Sequence, residues 1–129
     1  MFDQLEILKM SHGLARNAAA RQSAVAQNIA NVNTPGYARV DVRSFADIHG
    51  TAPFEGTLRT TRSSHLDHNS TYRPPTPEAV RGASTALNGN SVSLEDEIVA
   101  AAELRQQHDM ALTVYQNALT VLRTALGRG

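Results

Sequence analysis

A chain of 129 residues has room for one compact domain and one core. Its twelve basic and twelve acidic residues cancel to a formal charge of zero, so no net field draws it to nucleic acid, an anionic membrane or an acidic substrate. With no cysteine it has no disulfide, thiolate metal site or cysteine nucleophile, and its basic residues are all arginine except Lys9, a choice that suits forked contacts to carboxylates at protein interfaces.

The start, Met1-Phe2-Asp3-Gln4-Leu5-Glu6, carries acids where a secretory signal has basic residues and a long apolar run, so no cleaved signal peptide is expected. The longest apolar stretch, residues 98–102, is far below the roughly 18 to 20 residues of a membrane span. Asp3 as N-cap with Glu6 three residues on, and Phe2 placed to staple against Ile7, predict a helix beginning near Gln4. Leu5, Leu8, His12, Ala15, Ala19, Gln22, Ala26 and Ile29 then recur at helical spacing, with Ile7, Leu14, Ala18, Val25 and Val32 on a flanking stripe. The result is an amphipathic helix of about 28 residues, about 40 Å long, interrupted by Gly13 where close approach of another backbone would make glycine tolerable.

Residues 33–90 are different material, holding all five prolines and most of the glycines. They lack the large apolar residues to form a core alone. The alternating pieces 38–42 and 57–60 are candidates for a small hairpin or sheet, and Arg73-Pro74-Pro75-Thr76-Pro77 reads as extended or turn backbone. A connection this long is out of place in a simple two-helix bundle, where loops run about 2 to 8 residues.

A second long helix is expected after Ser93, its N-cap, with Glu95, Asp96 and Glu97 at the positive end of the dipole, running to about Leu126 and stopping at Gly127. One stripe reads Leu104, Gln107, Ala111, Val114, Ala118, Val121 and Ala125; the adjacent one reads His108, Leu112, Tyr115, Leu119, Leu122 and Leu126. Two stripes need two neighbours, so the helix is expected to pair within the chain and again with other chains. The expected fold is mainly α: two long terminal helices packing as a coiled-coil-like pair, residues 1–32 and 91–129 forming the helical core, with a loop-rich insertion at 33–90 that contains little β structure. Expected assembly contacts are Leu5, Leu8, Leu14, Val25, Ile29, Leu104, Leu112, Tyr115, Leu119, Leu122 and Leu126.

The helix-one exit, Gln27-Asn28-Ile29-Ala30-Asn31-Val32-Asn33-Thr34-Pro35-Gly36-Tyr37, has a local reason at most positions. Asn31 or Asn33 can take the left-handed conformation that ends a helix, Thr34 is pushed extended by the proline after it, and Pro35-Gly36 fit the centre of a type II turn. Ala30, Asn31, Thr34, Pro35, Gly36 and Tyr37 also match all six fixed positions of the ANxxTPGY signature, and the segment resembles the flagellar axial family of rod, hook and hook-associated proteins.

The Phe2-Asp3 start, the short length and the run from Asn88-Gly89-Asn90 through Ala102-Glu103-Leu104 resemble the proximal-rod members of that family. The resemblance covers roughly the first 45 and last 40 residues. The sister rod protein FlgC stays an alternative, although its Ser-x-Ala-Tyr-x-Ala-Asn type stretch is missing and Tyr115-Gln116-Asn117-Ala118 only echoes it. The resemblance implies a non-enzymatic, cofactor-free subunit of the periplasmic rod of the bacterial flagellum basal body, exported by the flagellar type III export apparatus without a cleaved signal peptide. Its implied partners are copies of itself, the rod proteins FlgC, FlgF and FlgG, and FliE with the MS-ring base, with no nucleic acid and no small-molecule substrate.

Chemistry-bearing residues do not compete strongly with that reading. His65-Leu66-Asp67-His68 crowds two imidazoles and a carboxylate as a metal site would, yet no helix is signalled there and solvated loop histidines explain it. His12 and His108 sit on apolar stripes as packing residues. Glu95, Asp96 and Glu97 are explained by the dipole, with Glu103 beyond them, and the arginines at 39, 43, 59, 62, 73 and 81 are scattered among acids, with only Phe54 and Tyr72 between them. A loop-site metal hydrolase and a helical adaptor with one partner remain as the competing classes.

Overall fold

The structure, a computed structural model, describes residues 2–50, 76–82 and 84–127. In chain order it has helix α1 (Phe2–Ala30), a two-residue strand β1 (Val40–Asp41), a short helix α2 (Phe45–Gly50), strand β2 (Glu78–Ala79) and helix α3 (Leu94–Ala125). Asn28 near the end of α1 meets Glu97 near the start of α3, so the two long helices lie side by side as an antiparallel pair. At 1.5 Å per residue they are about 43 and 48 Å long.

The caps of α3 follow the local chemistry. Ser93 is extended and its hydroxyl accepts from the Asp96 amide, Glu95, Asp96 and Glu97 occupy the first turn, and the chain leaves through Leu126 and Gly127, the latter at φ +70°. Helix α1 departs from expectation at both ends. It already includes Phe2, so Asp3 lies inside it rather than capping it. At the other end no described residue other than glycine has a positive φ, so neither Asn31 nor Asn33 takes the left-handed conformation. The last turn tightens instead, the amides of Asn31, Val32 and Thr34 bonding back to the carbonyls of Asn28, Ile29 and Asn31.

The packed face of α1 is the stripe expected to flank, shifted further toward polar residues. Ala18, Ala24 and Val25 are buried together with Ser11, Asn17 and Asn28. His12, Ala19 and Ala26 from the leading stripe are exposed, while Leu8, Ala15, Gln22 and Ile29 are half-buried. With alanine on both stripes, apolar content did not distinguish them. Along α3 the buried residues are Glu97, Leu104 and Ala111, seven apart as in a coiled-coil seam. Small residues on both sides let the helix axes come close, and Gly13 is buried on α1.

Strand β1 pairs antiparallel with β2, Val40 opposite Ala79 and Asp41 opposite Glu78. The stretch 57–60 lies outside the described residues. Val42, just after β1, is 2% exposed and completes the core. Ser44 starts α2 with its hydroxyl, which accepts from the Asp47 amide.

Because Leu104 is 2% exposed and Leu112 on the same helix 41%, truncation should separate them. Leu104→Ala is expected to lower stability by about 2 to 5 kcal/mol and Leu112→Ala by about 0.5 kcal/mol or less, read from urea denaturation of dilute protein. Equal losses would contradict this packing.

Candidate functional site

The chain leaving α1, the loop before α3 and the first turn of α3 converge on one polar junction. Its centre is the carboxylate of Glu97, fully buried. One oxygen accepts from Nε of Arg39 and the other from Nδ2 of Asn28 at 3.2 Å. Asn28 is itself fully buried and uses its whole hydrogen-bonding capacity. Its second Nδ2 hydrogen goes to the Val40 carbonyl at 2.8 Å, and its Oδ1 accepts from the Val40 amide at 3.0 Å and the Tyr37 hydroxyl at 3.4 Å. The side chain thus imitates a neighbouring strand for Val40, whose other side faces β2.

Asn28 belongs to a polar stripe on α1. Asn17, Arg21 and Asn28 are spaced four and seven apart and therefore share a face. Asn17 donates to the Arg43 carbonyl at 2.9 Å, and Arg21 grips Asp41 through Nε at 3.2 Å and Nη2 at 3.0 Å. Together the three fasten the return segment 40–43 along the helix.

A second knot closes the turn. The Tyr37 amide bonds to the Thr34 carbonyl, and Gly36 between them has φ +71°, the positive value that the third residue of a type II turn requires. Asn31 donates through Nδ2 to the Gln27 carbonyl and accepts from the Thr34 hydroxyl. Asn90, 3% exposed, spreads its two Nδ2 hydrogens over the carbonyls of Asn31, Val32 and Thr34, all within 2.9 Å. A residue remote in sequence therefore caps the end of α1. The Gly36 amide bonds to the Asn88 carbonyl, and the Ser91 amide to the Tyr37 carbonyl. A Cβ on Gly89 would sit 3.4 Å from the Gly36 Cα, so the two glycines let these loops touch.

The six signature residues are thus brought together: Ala30 ends α1, Asn31, Thr34, Pro35 and Gly36 form the turn, and half-buried Tyr37 anchors its exit. The residues expected at assembly contacts divide. Val25 and Leu104 are enclosed within the chain, and Leu8, Leu14, Ile29, Tyr115, Leu119 and Leu122 are half-buried. Leu112 and Leu126 are exposed, the latter at 69%; the Leu5 side chain lies outside the description.

Glu97 corrects the dipole reading of the three acids, since it is a buried partner of Arg39 and Asn28. His12 is exposed rather than packed, and His108 is half-buried with its Nδ1 3.9 Å from Asp109. His65, Asp67 and His68 lie outside the described residues, and among those described no group of acids and histidines could hold a metal ion. Sequence reading missed the roles of Asn17, Arg21, Asn28, Asp41 and Asn90; for the three on α1 the available signal was polar residues at helical spacing inside the packed stripe.

The junction makes two mutational predictions. Asn28→Asp changes one atom but removes both donors and sets a carboxylate against Glu97, so stability should fall by about 3 kcal/mol or more, and a thermal midpoint close to that of the unchanged protein would exclude the assigned geometry. At Gly36 no atom lies within 4 Å of an added Cβ, so the cost of substitution is conformational. Gly36→Val should cost about 1 to 2 kcal/mol and Gly36→Asn clearly less, and the same denaturation curves would show the ranking reversed if space rather than φ were limiting.

Comparison with known proteins bears on this same region. Residues 13–37, the second half of α1 through the turn to Tyr37, match a family described as "Flagella basal body rod protein". The flagellar basal body rod protein FlgB of Agrobacterium fabrum (strain C58) is 31% identical over 111 residues, covering 82% of this chain and 81% of the relative. FlgB of Salmonella typhimurium (strain LT2) is 27% identical over 137 aligned positions, covering 100% of this chain and 99% of the relative. With its long helices joined at the signature turn and its length matched by these relatives, the chain belongs to the family of flagellar basal body rod protein FlgB.

Proposed function

We propose that this chain is a structural subunit of the proximal rod of the bacterial flagellar basal body, polymerising through its terminal helices to connect the membrane-ring base to the distal rod. The observation that carries this reading is the outer surface of α3. After the helix has packed on α1, Ile98, Val99, Met110, Leu112, Val114, Val121 and Leu126 are still 41 to 69% exposed. Apolar side chains left in water along a whole helix are a surface awaiting another protein chain. Residues 1–32 and 91–129 then act as the assembling helical core and 33–90 as an insertion, with the turn from Ala30 to Tyr37 holding the helices in the geometry that neighbours meet.

In this reading the exposed and half-buried residues Leu8, Leu14, Ile29, Leu112, Tyr115, Leu119, Leu122 and Leu126 supply contacts between subunits, Leu5 is a further candidate, and Val25 and Leu104 support them from within. The partners are other copies, the neighbouring rod proteins FlgC, FlgF and FlgG, and FliE with the ring base. The location is the periplasmic rod, reached through the flagellar type III export apparatus without a cleaved signal peptide. The role is mechanical and requires no cofactor.

The test compares a charge on the apolar surface with loss of the candidate metal ligands, in cells whose own copy has been deleted. Leu112→Asp should leave the isolated chain folded but abolish swimming, because a carboxylate buried between subunits without a partner costs several kcal/mol. The double change His65→Ala, His68→Ala should keep most motility. Swimming with Leu112→Asp and paralysis with the histidine pair would replace the rod reading by a metal or catalytic role for the middle segment.

A further inference from the structure

Two exposed charge patterns on the long helices are complementary in sign and equal in spacing. On α1, Lys9, His12 and Arg16 are exposed at positions i, i+3 and i+7 of one face. On α3, Asp96, Val99 and Glu103 are exposed with the same spacing, Val99 at 58%. Neither set faces the partner helix, whose contacts run through Ala18, Val25 and Asn28 on α1 and Glu97, Leu104 and Ala111 on α3. Among the described residues none of Lys9, Arg16, Asp96 and Glu103 makes an ion pair. Each like-charged pair is separated by two helical turns, about 10 Å.

We propose that these two faces form an interface between copies of this chain, Lys9 of one copy meeting Glu103 of the next and Arg16 meeting Asp96, with Val99 inserted between the two ion pairs. The inference rests on the rod-subunit reading and names the contact that sets its register. Copies in a polar rod point the same way, so α1 of one runs antiparallel to α3 of the next, and in that orientation both pairs match. Because the two faces differ, the contact is heterologous and leaves one unused face at each end of a pair, so further copies can add, as a polymer requires. It also fixes a stagger. Within one chain Glu97 lies opposite Asn28, which puts Glu103 opposite residue 22 of its own α1. Docking it on Lys9 of a neighbour displaces that neighbour by thirteen residues, about 20 Å along the axis.

The experiment follows self-association of the purified full chain by sedimentation velocity at low salt, with circular dichroism to confirm that each variant is folded. Lys9→Glu and Glu103→Lys should each weaken association about tenfold, and the two combined in one chain should restore it to within about threefold. Raising salt should weaken the unchanged chain and have less effect on Glu103→Gln. Single reversals without effect, or a combined variant no better than either single, would overturn this interface while loss of association in Leu112→Asp left the rod reading intact. An unchanged chain that stays monomeric at every salt concentration would overturn both.

Discussion

A carboxylate removed from water must be paired, and at Glu97 the pairing organises the molecule. Its two oxygens are met by Arg39 from the return segment and Asn28 from α1, while the residue itself belongs to the first turn of α3. Removing either partner would leave a buried charge partly unsatisfied, at a cost of about 3 to 5 kcal/mol. The end of α1, the strand that leaves it and the start of α3 therefore have one mutual arrangement. The apolar seam alone would not impose it. Ala18, Ala24 and Ala111 give a smooth contact that could slide by a turn with little loss, whereas hydrogen bonds to Glu97 and Val40 are directional and break on sliding.

The same division explains which parts of the fold were legible in the sequence. Local chemistry fixed α3 at both ends, because Ser93 and Gly127 act on residues within one turn of themselves. The positive φ of Gly36 was likewise legible in Pro35-Gly36. Asn90 was not. It caps carbonyls of residues 31 to 34 from across the junction, and nothing in the neighbourhood of Asn31 or Asn33 announces that their own left-handed option is unnecessary. Glu97 was hidden in another way. Glu95, Asp96 and Glu97 are equivalent to the helix dipole, and only the arrival of Arg39 and Asn28 makes the third of them a core residue. On α1, alanine at 15, 19 and 26 made the leading stripe look as apolar as the true one, while Asn17 and Asn28 made the true one look polar.

Comparison with relatives adds a constraint on where shape and assembly reside. The family match spans residues 13–37, which contribute Asn17, Arg21, Asn28, Asn31, Gly36 and Tyr37 to the junction. The exposed apolar residues of α3 lie outside that span. The matched segment thus supplies the α1 half of the junction, which Arg39, Asn90 and Glu97 complete from outside it, while the exposed apolar residues of α3 take no part in it. Substitutions on the outer face of α3 can change what the chain associates with and leave the junction intact. Substitutions at the junction disturb both, since they move α3 itself.

Polarity in this chain is partly inverted relative to an ordinary globular domain, with Asn17, Asn28 and Glu97 fully or almost fully enclosed while Ile98, Val99 and Met110 face water. The inversion has a physical use in a chain whose two long helices could pair within the chain or between chains. A hairpin held by apolar contacts alone would compete with its own neighbours, because the same side chains that pair α1 with α3 could pair equally well between chains. Buried hydrogen bonds with specific geometry discriminate between the two. They are satisfied when Asn28, Arg39 and Glu97 come from one chain in one register, and a chain paired in another register leaves them unmade, at a cost set by desolvation. Intrachain pairing is thereby specified by polar groups, and the apolar surface that remains is free to be used between copies.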